Sequence, residues 1–145
     1  MEEQDFPKIR VESNGKRSIF DVLRQRFVAL TPEAEVRQQF IHYLITEKHY
    51  PRNLLANEVS IELNGTKKRC DSVLYDIHMK PRMIIEYKAK SVKISQKVFD
   101  QILRYNVVSH VDYLIVTNLT STFVCKITDQ HTATFLENIP EYDTL

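Results

Sequence analysis

Glycine is nearly absent: Gly15 and Gly65 are the only two in 145 residues. Neither a phosphate-cradling P-loop nor a GxGxxG dinucleotide fingerprint can be written with so few, so motor ATPase and Rossmann readings fall away. Cysteine is equally scarce. Cys70 and Cys125 form no CxxC pair, which leaves no basis for a disulfide framework or a structural zinc site and makes both thiols expected small buried hydrophobes. No apolar stretch approaches the ~20 residues needed to cross a bilayer, and the acidic start MEEQDF lacks the basic flank and apolar centre of a signal peptide. The expectation is a soluble, cytoplasmic protein with no membrane partner. An excess of one charge is missing too. With 20 basic and 19 acidic residues the net charge is +1, so no global field draws the chain onto nucleic acid. Any such binding has to come from local clusters, Lys67-Lys68-Arg69 or Lys88, Lys90, Lys93 and Lys97. A solvated lysine face is the competing explanation.

What is present suffices for one ordinary core: 43% of the residues are hydrophobic, and a chain of this length is expected to form a single domain over 1–145. Residues 1–18 read as an N-terminal arm that turns at Asn14-Gly15 and returns through Arg17 to Phe20, residues 19–128 as the core, and 129–145 as a C-terminal tail. In LTPEAEVRQQFIHYLITEKHYP, Thr31 is a plausible N-cap, Pro32 fits the first helical position, and Glu33 and Glu35 suit the positive end of the helix dipole. Val36, Phe40, Tyr43 and Leu44 then repeat at helical spacing until Tyr50-Pro51. After that the period changes. Val59, Ile61 and Leu63 alternate with polar residues, Asn64-Gly65 signals a hairpin, and a second strand runs through Arg69 to about Asp76. Met83 to Ala89 is a third strand whose apolar first half suggests a central position. Ser95 caps a second helix with Val98, Ile102 and Tyr105 on one stripe, and segments 113–117 and 122–126 give two further strands. Helix, three-stranded meander, helix and two strands make an α/β sandwich the natural architecture.

The charges that close the third strand call for an explanation. In RCDSVLYDIHMKPRMIIEYKAK, Glu86 and Lys88 follow the apolar run Met83-Ile84-Ile85 and, being two apart on a strand, share a face, with Asp71 on the preceding strand. Two carboxylates converging near an ammonium can hold a hard divalent cation such as Mg2+, with Mn2+ as a substitute, and the backbone carbonyl of Tyr87 could add an oxygen ligand. Lys88 would then orient the attacking water and offset the charge that grows on a phosphate. Together these roles describe metal-dependent phosphodiester hydrolysis. An ExK triplet also arises about once by chance in a chain this rich in Glu and Lys, and a charged pair at a strand end is commonly just solvated or ion-paired. The five histidines are scattered; His42 and His49 could share a helix face, although solvated or core roles account for them.

Asp71 followed by Ile85-Glu86-Tyr87-Lys88 resembles the D…(D/E)xK core of the PD-(D/E)XK nuclease superfamily, with Arg69-Cys70 standing where the proline of that name would precede the aspartate. The stretches LTPEAEVRQQF, KKRCDSVLYD, IIEYKAK, FDQILRYN and YLIVTN resemble, more narrowly, the N-terminal nuclease domain of type I restriction enzyme R subunits and its short stand-alone relatives. The similarity runs from about Ile19 to Asn118, and five blocks in order are far more specific than any one. The resemblance implies a restriction-endonuclease-like αβββαβ core with a mixed central sheet flanked by helices, and a Mg2+-dependent DNA endonuclease with Asp71, Glu86 and Lys88 as catalytic residues. It implies that a glutamate of the first helix joins the metal site; Glu33 matches it best, with Glu35 the alternate because Ala34 departs from the usual acidic pair. Gln101 and Tyr105 match the family's QxxxY element and, with Arg69, would support the site and its DNA. Taken without the resemblance, Gln101 is a polar residue on an exposed helix face and Tyr105 is core. In full-length R subunits the domain precedes an ATP-driven motor for which this chain has neither the length nor the glycines. Restriction-modification or motor subunits are therefore possible partners, a non-catalytic module that binds nucleic acid or protein on the same fold is the alternative, and RNA or junction DNA are alternative substrates.

Overall fold

Thr31 starts the first helix, α1 (Pro32–Glu47), by accepting a hydrogen bond from the Ala34 N–H on its side-chain oxygen at 3.0 Å, and Pro32 occupies the first turn. Replacing that cap by alanine leaves an N–H of the first turn unpaired, so Thr31→Ala is expected to lower the unfolding free energy by about 1 kcal/mol. Urea denaturation reads this directly; an unchanged midpoint would mean that water replaces the cap. The computed structural model describes residues 6–63, 65–107, 111–128 and 132–145, without the side chains at positions 63, 66 and 105–107. His110, His131, Asn64 and the first five residues lie outside it.

The period-two segment after α1 becomes an antiparallel meander of β4 (Leu55–Leu63), β5 (Thr66–Tyr75) and β6 (Pro81–Tyr87). Leu63 pairs with Thr66 across the expected hairpin, where Gly65 takes a φ of 75° that a side chain would disfavour. The second helix, α2 (Gln96–Val107), is capped by the Ser95 hydroxyl, which accepts from the Val98 N–H at 3.2 Å. It carries the chain over to β7 (Tyr113–Thr117), parallel to β6, and β8 (Thr122–Ile127) and β9 (Ala133–Leu136) follow antiparallel. The result is a six-stranded mixed sheet in the order β4-β5-β6-β7-β8-β9.

Alternation along the central strands sends their side chains into two cores. Leu74, Met83, Ile85, Tyr87 and Ile115 pack with Val36, Phe40 and Leu44 of α1; Val73, Ile84, Leu114 and Val116 pack with Phe99 of α2 on the other face. β6 and β7 are apolar on both faces because both faces are covered. The anchor of α2 is the fully buried Phe99, whereas the expected stripe of Val98 and Ile102 is only half-buried. Both cysteines are buried, and burial pushes each thiol up to about 11. Among the described residues no helix is long and apolar enough to cross a membrane.

The fold expected from the αβββαβ order is the one observed, with additions at both ends. β1 (Ile9–Val11) and β2 (Arg17–Asp21) form the N-terminal hairpin around Asn14-Gly15, and β3 (Arg26–Ala29) completes a separate three-stranded sheet. At the other end β9 extends the large sheet past residue 128, and the Tyr50 hydroxyl donates to the Pro140 carbonyl at 3.0 Å. His42 stacks on Phe6, and His49 lies past the helix end at Lys48 and pairs with Glu141 at 3.0 Å, so the two share no site.

Candidate active site

The β5–β6 ladder closes at Ser72 opposite Ile85, one residue short of Asp71 and Glu86. There the Asp71 side chain takes over from the backbone, its Oδ2 accepting the Tyr87 N–H at 2.9 Å. On the β7 side, the Lys88 N–H donates to the Thr117 carbonyl at 3.0 Å. The end of β6 is thus pinned on both sides, which fixes the direction in which Glu86 and Lys88 leave the strand. A cavity of about 600 Å3 opens here, and Glu33, Arg69, Asp71, Glu86, Lys88 and Gln101 all line it. Tyr87, the source of the expected carbonyl ligand, borders it as well. Of the other expected site residues, Glu35 lies elsewhere, accepting from Gln39 and facing a larger cavity of about 810 Å3 between the N-terminal sheet and α1. That larger cavity contains neither Asp71 nor Glu86. Tyr105 is on α2, but its side chain is outside the described residues.

Burial first, then the neighbouring charge of Asp71 and a hydrogen bond with it, push the Glu86 carboxyl up to about 8, against the opposing pull of Lys68 and Lys88. Carboxylates forced together in a partly desolvated cleft are a feature of sites that act on charge. They are also what a divalent cation would relieve, and hard cations that keep several waters need only one or two protein carboxylates. The pair and the Tyr87 carbonyl therefore suit such an ion. Glu33 lines the same cavity as an exposed side chain, and among the described residues no group of three or more acid, histidine or cysteine side chains is gathered as a metal would need.

Three further charged residues of the cavity were not singled out as site residues by the sequence: Arg37, Glu58 and Lys68. Lys68 is 7% exposed and stands 3.8 Å from Glu86. Its arrival depends on an irregularity in the hairpin. Asn57 pairs with Ser72 and Val59 with Cys70, but Glu58 and Asp71 between them do not pair, and Glu58 has a φ of 50°. At this point the hairpin changes faces. Leu55 lies in the α1-side core, while Ile61, of the same parity, lies in the α2-side core. Strict alternation would place positions 68 and 71 on opposite sides; the switch lets both reach one cavity.

Beneath the site runs a buried chain of hydrogen bonds. The Tyr87 hydroxyl donates to Ser72 Oγ at 2.8 Å, Ser72 to Asn57 Oδ1 at 2.6 Å, and Asn57 Nδ2 to Asp21 Oδ1 at 3.1 Å. Asp21 also accepts from Arg24 Nε at 2.7 Å. Burial opposes its ionisation, yet the bonds from Arg24 and Asn57 hold its carboxyl below the usual range. Arg24 continues to Glu58 at 3.0 Å, so the chain returns to the cavity wall.

Residues 32–140 match the family described as type I restriction enzyme R protein N terminus. The chain belongs to that family. The match takes in α1, both helix-borne and strand-borne site candidates and all of the large sheet, whereas β1–β3 precede it. No curated protein matches the chain. A cryoEM structure of a DrdV–DNA complex aligns with 74% of this chain and 11% of that one, at 19% sequence identity and a TM-score of 0.47. This member of the R protein N-terminal family thus spans about a tenth of that neighbour's length.

Proposed function

We propose that the domain hydrolyses phosphodiester bonds in DNA with the help of a divalent cation, Mg2+ or Mn2+. The observation that supports this best is the meeting of Asp71 and Glu86 in one cavity with Lys88 beside them, at the pinned end of β6. Asp71, Glu86 and the Tyr87 carbonyl would hold the cation, which when bound supplies charge neutralisation and polarisation of a phosphoryl oxygen. Lys88 orients the attacking water and donates to the phosphate as its charge grows. Lys68, against Glu86, offsets the charge of the carboxylate pair. Gln101, on the exposed face of α2 at the cavity edge, contacts the substrate strand. Membership of the restriction family supports DNA as the substrate.

The experiment needs no substrate at first. Mn2+ should stabilise the wild-type protein by RT ln(1+[L]/Kd), about 1.4 kcal/mol when the metal is at ten times its dissociation constant. Asp71→Asn should lose most of that gain, while above about pH 8, where Glu86 also carries its charge, its metal-free form is as stable as wild type or more so, because a like-charge contact has gone. Incubation of the wild type with supercoiled and linear DNA in Mg2+ or Mn2+ should then give strand breaks that Asp71→Asn does not. Identical melting shifts for the two proteins across a millimolar Mn2+ titration would replace this reading with a non-catalytic binding module on the same fold.

A further inference from the structure

Arg37 projects from α1 into the wall of the same cavity, one helical turn after Glu33, and its side chain is only 7% exposed. Among the described residues it forms one ion pair, with Glu58 Oε1 at a long 3.5 Å, and its Nε is buried without a hydrogen-bond partner. An unmatched N–H on a buried guanidinium is costly, and such a group in a native fold calls for an explanation.

Glu58 sharpens the point. It holds a left-handed backbone conformation in the middle of β4, at the one skipped position of the ladder, and its carboxylate reaches three guanidinium groups: Arg24 at 3.0 Å, Arg37 at 3.5 Å and Arg69 at 3.9 Å. Residues other than glycine keep that conformation only where the surroundings enforce it, and such positions gather at functional sites. A single carboxylate cannot neutralise three cations. Arg24 has Asp21 as a second partner at 2.7 Å, so the unmatched positive charge falls on Arg37 and on the exposed Arg69 at the rim. A planar, fixed fork of N–H donors with spare capacity matches the tetrahedral oxygens of a phosphate diester.

We propose that Arg37, aimed by Glu58 and assisted by Arg69, binds a backbone phosphate of the nucleic-acid strand adjacent to the phosphate that faces Asp71 and Glu86. Glu58 is a positioning residue in this arrangement. The assignment rests on the nuclease reading of the cavity, and it opposes a simpler role for Arg37 as a tie between α1 and β4.

Binding separates the two. With the full chain in metal-free buffer and a short fluorescent DNA duplex, Arg37→Met should weaken affinity about tenfold. It should also flatten the slope of log K against log salt by about one, the share of a single phosphate contact. Arg37→Lys should restore the slope and only part of the affinity, because charge returns without the fork. Arg69→Met should show a smaller loss of the same kind. Melting temperatures recorded alongside report the structural role, which would lower them without moving affinity or slope. If Arg37→Met does not fold, Arg37→Lys carries the test, and wild-type affinity in that variant overturns the proposal. So does an unchanged salt slope in a folded Arg37→Met, or a wild type that binds no duplex at low salt. Lys88→Ala keeps the failures apart: cleavage lost there with affinity intact in Arg37→Met would leave the nuclease reading standing and remove only the phosphate site.

Discussion

Lys88→Ala is expected to lower the rate of DNA cleavage by about 100-fold or more while leaving DNA affinity nearly unchanged, since losing one donor aimed at developing charge commonly costs ~3 kcal/mol of barrier. The geometry supports a role in the transition state more than in binding. Lys88 follows directly on a strand end fixed by Asp71 and Thr117, so its direction is set before substrate arrives. Duplex binding, by contrast, draws on many phosphate contacts, of which this ammonium would be one. Single-turnover cleavage at saturating enzyme isolates the chemical step. Equal rates for wild type and Lys88→Ala in that assay would remove Lys88 from the mechanism.

The second large effect is a pH dependence of stability in the metal-free protein. Glu86 has its carboxyl raised from an ordinary 4.5 to about 8, by burial and by Asp71. Between those values the folded state keeps a proton that the unfolded state has released. Stability from this group is therefore fully present below the ordinary carboxylate value and is lost as pH rises toward about 8, the reverse of a salt-bridged acid. The slope cannot exceed about 1.4 kcal/mol per pH unit for one proton, and across the window the loss amounts to a few kcal/mol. Glu86→Gln, which keeps the neutral shape, should flatten the profile, and Asp71→Asn should flatten it in part. Urea unfolding in EDTA from about pH 5 to pH 9 provides the measurement. A wild-type profile that is flat, or that rises, through this range would mean that Glu86 ionises freely and that the two carboxylates do not confront each other.

Much of the large sheet was legible because its signals are local and redundant. Thr31-Pro32 followed by two glutamates marks the α1 start, Asn64-Gly65 marks the hairpin, and Met83-Ile84-Ile85 announces a strand covered on both faces. The cavity around Asp71, Glu86 and Lys88 follows from those strands being neighbours, which a short connection nearly guarantees. β3 and β9 were missed for a different reason. RFVA and ATFL are four-residue strands at exposed margins, too short for alternation to stand above noise. Phe99 was passed over because Val98 and Ile102 offered an equally good stripe one position away, and only packing against Val73 and Leu114 decides between them. Lys68, Glu58 and Arg37 could not be assigned to the site by period at all. Their meeting depends on the face change at Glu58 and Asp71, a backbone event that leaves no mark in the pattern, since glutamate is not a residue that advertises a positive φ.

The hydrogen-bonded chain from Arg24 through Asp21, Asn57 and Ser72 to Tyr87 also bears on where the working unit begins. The family match starts at Pro32. A fragment cut there would retain every acid and lysine of the cavity, yet Asn57 would keep its place in the interior with no Asp21 to receive its amide, and Glu58 would lose the closest of its three guanidiniums. The start of the family match and the start of the hydrogen-bonded frame are therefore different lines on this chain. Residues that precede the family match can still be structural members of the site, and a domain trimmed to the matched segment would keep the chemical groups of the cavity while losing part of the frame that holds them.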